Sequence, residues 1–279
     1  MRTLSTAGLD PYAMPSMFQQ MLQANRYNER PPEFLLTHPV TESRVADAAD
    51  RAQKYPRKPR LATFEFRVLQ NEAMIRYQLN TDKRVDYFSH QLQITPRNSS
   101  EQAAALFSLA RLALDNNDSK TCREHLSKII SPWREHAAVV ALNARTLQAE
   151  GKPELAINAI NDALPFDPQD YLLLSTKASL LRQNGQKNAA VATLKQLSEL
   201  RSTNPSVWRQ LGEAAGDADM ILLGHRANAE YLFYSGYHAK ALRQMELALQ
   251  LAKKNHDFQQ EAALGQRLRV MANTAAVLP

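Results

Sequence analysis

The chain has 279 residues, 44% hydrophobic and 22% charged, a balance that suits a buried core. A single cysteine, Cys122, excludes an internal disulfide. No apolar run reaches the length of a membrane span; the net charge of +6 is spread along the chain without a nucleic-acid motif, so a moderately basic solvated surface is the simpler reading than nucleic-acid binding.

Residues 1–55 have a grammar of their own. Met1 to Ala7 reads as the tail of a helix ended by Gly8, and Leu9-Asp10-Pro11 as a turn. A helix over Ala13–Asn25 carries Met14, Met17, Phe18, Met21 and Leu22 on one apolar stripe, which predicts core contact. After a loop at Asn28–Pro32 and the stretch Phe34-Leu35-Leu36-Thr37-His38-Pro39, Thr41 is placed to cap a helix over Glu42–Lys54. Tyr55-Pro56-Arg57-Lys58-Pro59-Arg60 breaks helix twice and is charged, so a linker is expected at 56–60.

Beyond the linker the chain becomes periodic. Helices near 61–79 and 82–92 are expected to form a degenerate capping hairpin, within 61–95. Then Gly151 and Gly185, Ala144 and Ala178, and Ala156 and Ala190 recur at 34 residues, the period of tetratricopeptide helix pairs. The small residues allow close approach of two helices, the glycines end the first helix of each pair in a left-handed residue, and Pro153 suits the first turn of the next. Leu147, Ile160, Leu181 and Leu194 take the larger core positions. One period earlier stand Asn117, Ala110 and Cys122, so the cysteine reads as a small core residue. Later, Gly236 with Ala229, Ala241 and Ala248 repeats the pattern half a period late, which predicts an inserted helix at 206–216. The expected units are 103–136, 137–170, 171–205 and 222–255, with a capping helix at 256–275. The fold class is therefore all-α, a tetratricopeptide α-solenoid over 61–279.

The first unit carries a family resemblance. Ala-Gly-Leu-Asp-Pro-Tyr-Ala-Met-Pro-Ser-Met-Phe and Pro-Glu-Phe-Leu-Leu-Thr-His-Pro-Val-Thr-Glu-Ser-Arg-Val-Ala-Asp-Ala resemble the end of the catalytic domain of periplasmic HExxH zinc metalloproteases of the β-barrel-assembly-enhancing type. That family carries tetratricopeptide repeats behind its protease domain. The resemblance implies that 1–55 is a helical remnant of such a domain, that the parent family uses zinc, and that its setting is the periplasm. It implies partners in the outer-membrane assembly machinery and its β-barrel substrates. It also gives His38 the role of an extra, restraining zinc ligand, but only together with the missing catalytic domain; in this chain alone the preferred reading is a histidine held in a His-Pro turn. The sequence departs from the family at the decisive point: no histidine is followed by glutamate, so the HExxH motif is absent. With the metal-binding helix missing and the third ligand expected before Met1, the chain reads as the C-terminal portion of such a protease, whether a fragment, a split gene or an internal start, and no cofactor is expected in it. Met-Arg-Thr-Leu-Ser lacks the apolar core of a signal peptide, which favours the cytosolic alternative below.

Two function classes follow. As a binding module, the chain offers partners a groove lined by the first helices of the pairs, with Phe107, Arg111, Arg145, Arg182, Arg226, Phe233 and Tyr234 expected to face it. Arg111 and Arg145 share a repeat position, and a row of guanidiniums would pair with carboxylates of a partner. As an enzyme, the chain would be a zinc endopeptidase cutting misassembled outer-membrane proteins, against which the missing motif argues. A cytosolic scaffold is a weaker alternative.

Overall fold

The computed structural model describes residues 1–24, 41–57, 62–77 and 79–277. The Phe34–Pro39 stretch with His38, and the Lys58–Arg60 end of the linker, lie outside the described residues. The chain divides into two compact units, Met1–Thr63 and Phe64–Pro279.

The first unit holds α1 (Arg2–Thr6), α2 (Ala13–Ala24) and α3 (Glu42–Gln53). Gly8 takes φ +74°, and the N–H groups of Gly8 and Leu9 turn back onto the carbonyls of Ser5 and Leu4 at 3.1 and 2.9 Å, closing α1. The Thr41 hydroxyl accepts from the Arg44 N–H at 3.3 Å and caps α3. α2 and α3 pack together, with Leu22, Ala48 and Ala52 buried. The methionine-rich stripe of α2 is split: the Arg44 guanidinium lies over the Phe18 ring, 5.4 Å from its centroid, while Met17 and Met21 are 46% and 43% exposed. The expectation that the whole stripe is core therefore holds for only part of it, because a helix of this length meets its partner along a single face.

The second unit is a chain of antiparallel helices: α4 (Phe64–Tyr77), α5 (Arg84–Ile94), α6 (Ser100–Asp115), α7 (Ser119–Ser127), α8 (Ala137–Ala149), α9 (Pro153–Ala163), α10 (Tyr171–Gln183), α11 (Lys187–Leu200), α12 (Pro205–Asp217), α13 (Ile221–Tyr234), α14 (His238–Lys254) and α15 (Phe258–Val277). No strand occurs among the described residues. The fold is all-α, a tetratricopeptide array.

Its period is written in the backbone. Asn117, Gly151, Gly185 and Asp219 have φ of 60°, 72°, 71° and 58°, at positions 34 residues apart. In each case the residue after this left-handed one donates its N–H back to a carbonyl in the last turn of the preceding helix: Asp118 to Ala113, Lys152 to Leu147, Gln186 to Leu181 and Met220 to Ala215, at 2.8 to 2.9 Å. The small positions keep the same phase: Ala110, Ala144, Ala178 and Gly212 in the first helices, Cys122, Ala156, Ala190 and Gly224 in the second. The alanines and the cysteine among them are at most 1% exposed. Side-chain oxygens of Ser99, Asp118, Asp170 and Asn204 cap α6, α7, α10 and α12.

The tail differs from the sequence expectation in one respect. The helix read as an insertion at 206–216 is α12, and with α13 it continues the 34-residue phase through Gly212, Asp219 and Gly224. The half-period pattern Ala229–Gly236–Ala241 is also present, as the close packing of α13 on α14. One helix serves both patterns: α13 meets α12 through Gly224, where a Cβ would lie 4.0 Å from that of Ala215, and meets α14 on the side of Ala229, which is fully buried.

Candidate functional site

First helices touch one another along the array, α6 to α8, α8 to α10 and α10 to α12, while second helices are more widely spread. The first helices thus lie on the inside of the curve and share one continuous face. A cleft of about 630 Å³ opens on it, formed by α8 and α10 with contributions from α6 and α12. Its lining is polar, with Gln148 from α8, Ser175, Ser179 and Gln183 along one side of α10, and Gln210 from α12. These groups are arranged by bonds between neighbouring repeats and by one within α10. Gln148 and Asn184 exchange two amide hydrogen bonds at 2.9 and 3.1 Å. The Ser175 hydroxyl donates to Gln210 at 3.0 Å, and the Gln183 amide donates to the Ser179 hydroxyl at 3.1 Å. Arg145 is the charged side chain in the lining.

The residues expected to face the groove have three fates. Phe107 is a core residue and not a groove residue: it is 7% exposed and meets the Phe64 ring edge-on at 6.3 Å. Arg111 and Arg182 lie on the first helices, but acids of the same chain hold them. Arg111 donates to both oxygens of Glu72 at 2.7 and 2.8 Å and to Asp115 at 3.1 Å. Arg182 reaches Asp217 at 2.8 Å and Glu213 at 2.9 Å. For both, burial works against the charge, but the hydrogen bonds and fields of these acids outweigh it and leave the guanidinium pKa raised. Phe233 and Tyr234 cradle Arg267 of α15, whose guanidinium carbon lies 5.2 and 5.8 Å from their ring centroids. Arg267 in turn forks onto Glu230, 4% exposed, at 2.8 and 2.6 Å. Arg226 is half-buried on α13 and away from the cleft lining. Arg145 is exposed and makes no hydrogen bond or ion pair among the described residues.

Sequence reasoning missed the amide and hydroxyl wall, Gln148, Ser175, Ser179, Gln183 and Gln210. A signal was available: Ser175, Ser179 and Gln183 recur every four residues, one stripe of a helix.

The zinc implied by the family resemblance does not fit the described residues. Catalytic zinc takes about three protein ligands, and no three of the His, Cys, Asp and Glu side chains converge among the described residues. His38 lies outside them. Several histidines are tied up elsewhere: His136 Nδ1 accepts the Ala138 N–H at 3.1 Å and caps α8, and His225 pairs with Gln244 at 2.8 Å. Cys122 sits in the core 3.0 Å from the Thr146 hydroxyl, its thiol pKa raised by burial, the opposite of an activated nucleophile.

No protein-family model matches the chain. Among curated proteins it is similar to the β-barrel assembly-enhancing protease of Escherichia coli (strain K12), 27% identical over 218 residues, covering 76% of this chain and 43% of that protein. The Yersinia pestis protein of the same name is 24% identical over 241 residues, 86% of this chain and 49% of that one. A putative protease of the same name from Vibrio cholerae is 34% identical over 88 residues, 31% of this chain and 18% of that one. The chain spans less than half the length of these relatives. Among solved structures, pilF of Pseudomonas aeruginosa aligns with a TM-score of 0.49 at 16% identity, covering 75% of this chain and 91% of that one. A thermophilic tetratricopeptide protein of Thermus thermophilus aligns with a TM-score of 0.47 at 19% identity, covering 77% of this chain and 100% of that one. In sequence, the chain resembles the C-terminal, repeat-bearing part of the β-barrel assembly-enhancing proteases.

Proposed function

We propose that this chain is the protein-binding repeat module of a periplasmic metalloprotease or chaperone system for outer-membrane protein assembly and quality control. The observation that carries the reading is the polar cleft on the shared face of the first helices. Its amides and hydroxyls suit the backbone and polar side chains of an extended segment, and a rigid stack of helix pairs holds them in place. The names of the relatives point to β-barrel proteins as the clients.

In this reading the chain binds without cutting. Metalloprotease hydrolysis needs a zinc to polarise the carbonyl and activate water, and a carboxylate to move the proton. The HExxH motif that supplies both functions in the resembled family is absent from the sequence. The unit containing 1–55 is then the end of a catalytic domain, with His38 a zinc ligand only when that domain is complete.

The test uses a urea-unfolded β-barrel outer-membrane protein, diluted into the purified chain and followed by fluorescence anisotropy and by gel. The expected result is saturable binding without cleavage, lost in a Ser179→Trp variant that fills the cleft. Binding that survives Ser179→Trp overturns the site, and cleavage abolished by chelation overturns the non-cutting half.

A further inference from the structure

Resting on that reading of the cleft, we infer that it selects a segment carrying one carboxylate, seated on Arg145 and flanked by uncharged polar residues. Spacing alone places Arg111 and Arg145 at one repeat position and Arg182 a turn further on, which reads as a row of cations. The ion pairs dissolve that row. A guanidinium already forked onto Glu72 and Asp115, or onto Glu213 and Asp217, has little left to offer a ligand, and the acid beside it repels an incoming carboxylate. Arg145 keeps its donors: no acid of the described residues closes on it, and it is the charged side chain in the cleft lining.

The next two occupants of the Arg145 repeat position, Ser179 and Glu213, set the register. Moving from α8 through α10 to α12, the face changes from cation to hydroxyl to acid. On the α12 side Glu213 and Asp217 are balanced by Arg182 and Arg209, a cluster that leaves no guanidinium uncommitted to an acid. A second carboxylate finds no partner there, so the face favours a segment with one acidic group over an acidic run. Between those points the wall offers donors and acceptors without charge, which match a backbone and neutral polar side chains.

The experiment uses two fluorescein-labelled peptides of Gly, Ser, Asn and Thr, one with a single central glutamate and its twin with glutamine. Both are titrated against the full chain and against Arg145→Gln and Arg182→Gln, with melting curves taken alongside. At low salt the glutamate peptide should bind about three- to tenfold more tightly than its twin, the span between an exposed and a desolvated charged contact. Arg145→Gln should erase that preference while melting with the parent chain, Arg182→Gln should retain it, and raised salt should shrink it. Equal affinity for the two peptides, or a preference that persists in Arg145→Gln, overturns the carboxylate selection and leaves the peptide-binding reading standing. Failure of both peptides and of an unfolded β-barrel protein to bind overturns both.

Discussion

Arg267 shows how differently two arginines of one array behave. Its fork onto Glu230 meets a carboxylate that is 4% exposed, and the Phe233 and Tyr234 rings cover the guanidinium. Removing the cation leaves a buried acid without a partner, so Arg267→Ala is expected to cost about 2–4 kcal/mol in urea unfolding. Arg182 pairs with Glu213 and Asp217, whose side chains are 41% and 45% exposed, and its alanine variant should cost under about 1 kcal/mol. The opposite order of these two losses would refute the account. His125 gives a pH signature. Its Nδ1 is buried without a partner, and burial, then the charge of Lys128, holds its pKa below the usual value of 6.5, against weaker opposing fields of Glu124 and Asp118. The folded state therefore prefers neutral imidazole. Its contribution is present above the unfolded value and is lost as pH falls from there through the folded value. A His125→Gln variant should flatten the slope of stability as pH falls below the ordinary histidine value of 6.5, and an unchanged slope would show that His125 does not titrate in this way.

The turns and small positions carry the next prediction, because they fix the phase of the helix pairs. Asp219 adopts φ 58°, a conformation that costs an ordinary residue about 1–2 kcal/mol and glycine little. Asp219→Gly should raise stability by up to about 1 kcal/mol, and Asp219→Val should lower it by about 1–2 kcal/mol. At Gly212 an added Cβ would meet that of Ala227 at 3.7 Å, ordinary contact, so Gly212→Ala should gain about 0.5–1 kcal/mol. Larger side chains at Gly212 or Ala156 should lose about 1–3 kcal/mol by overpacking, and a leucine tolerated at either site would show the phase to be misplaced. These positions also mark what the sequence disclosed. Gly151 and Gly185 announced the period because glycine is the cheapest left-handed residue. Its continuation to Asp219 was hidden, since aspartate can take the same conformation without advertising it. Gly212 and Gly224 were hidden for the converse reason, being glycines inside helices where glycine usually marks an end. The amide wall and the neutralised arginines were harder still. The pairs Arg111–Glu72, Arg182–Asp217 and Arg267–Glu230 sit at different sequence separations, set by how successive helices are offset, which a fixed period does not encode.

In a stack of helix pairs each element is held by its neighbours, so stability falls toward the ends, where a helix has a neighbour on one side only. The interior of the array is dense: Ala144, Ala156, Ile160, Ala190, Leu194 and Leu197 are fully buried across α8 to α11. At the far end, α15 exposes Phe258 at 74% and Val270 at 46%, and it is tied to the rest through Leu264, Met271 and the Arg267–Glu230 fork. The first unit has a thin core, with Leu22, Ala48 and Ala52 as its buried hydrophobic residues among those described, and exposes Met17 and Met21. Native-state hydrogen exchange should therefore be slowest in α8 to α11, faster in α15 and fastest in α2 and α3. Arg267→Ala should accelerate exchange in α15 and α13 while leaving α8 to α10 near their original protection, because a nearest-neighbour stack transmits a lost contact to the adjoining helices first. Acceleration of equal size from α4 to α15 would mean that the array opens as one cooperative block, and that Arg267 stabilises the whole of it and not its end.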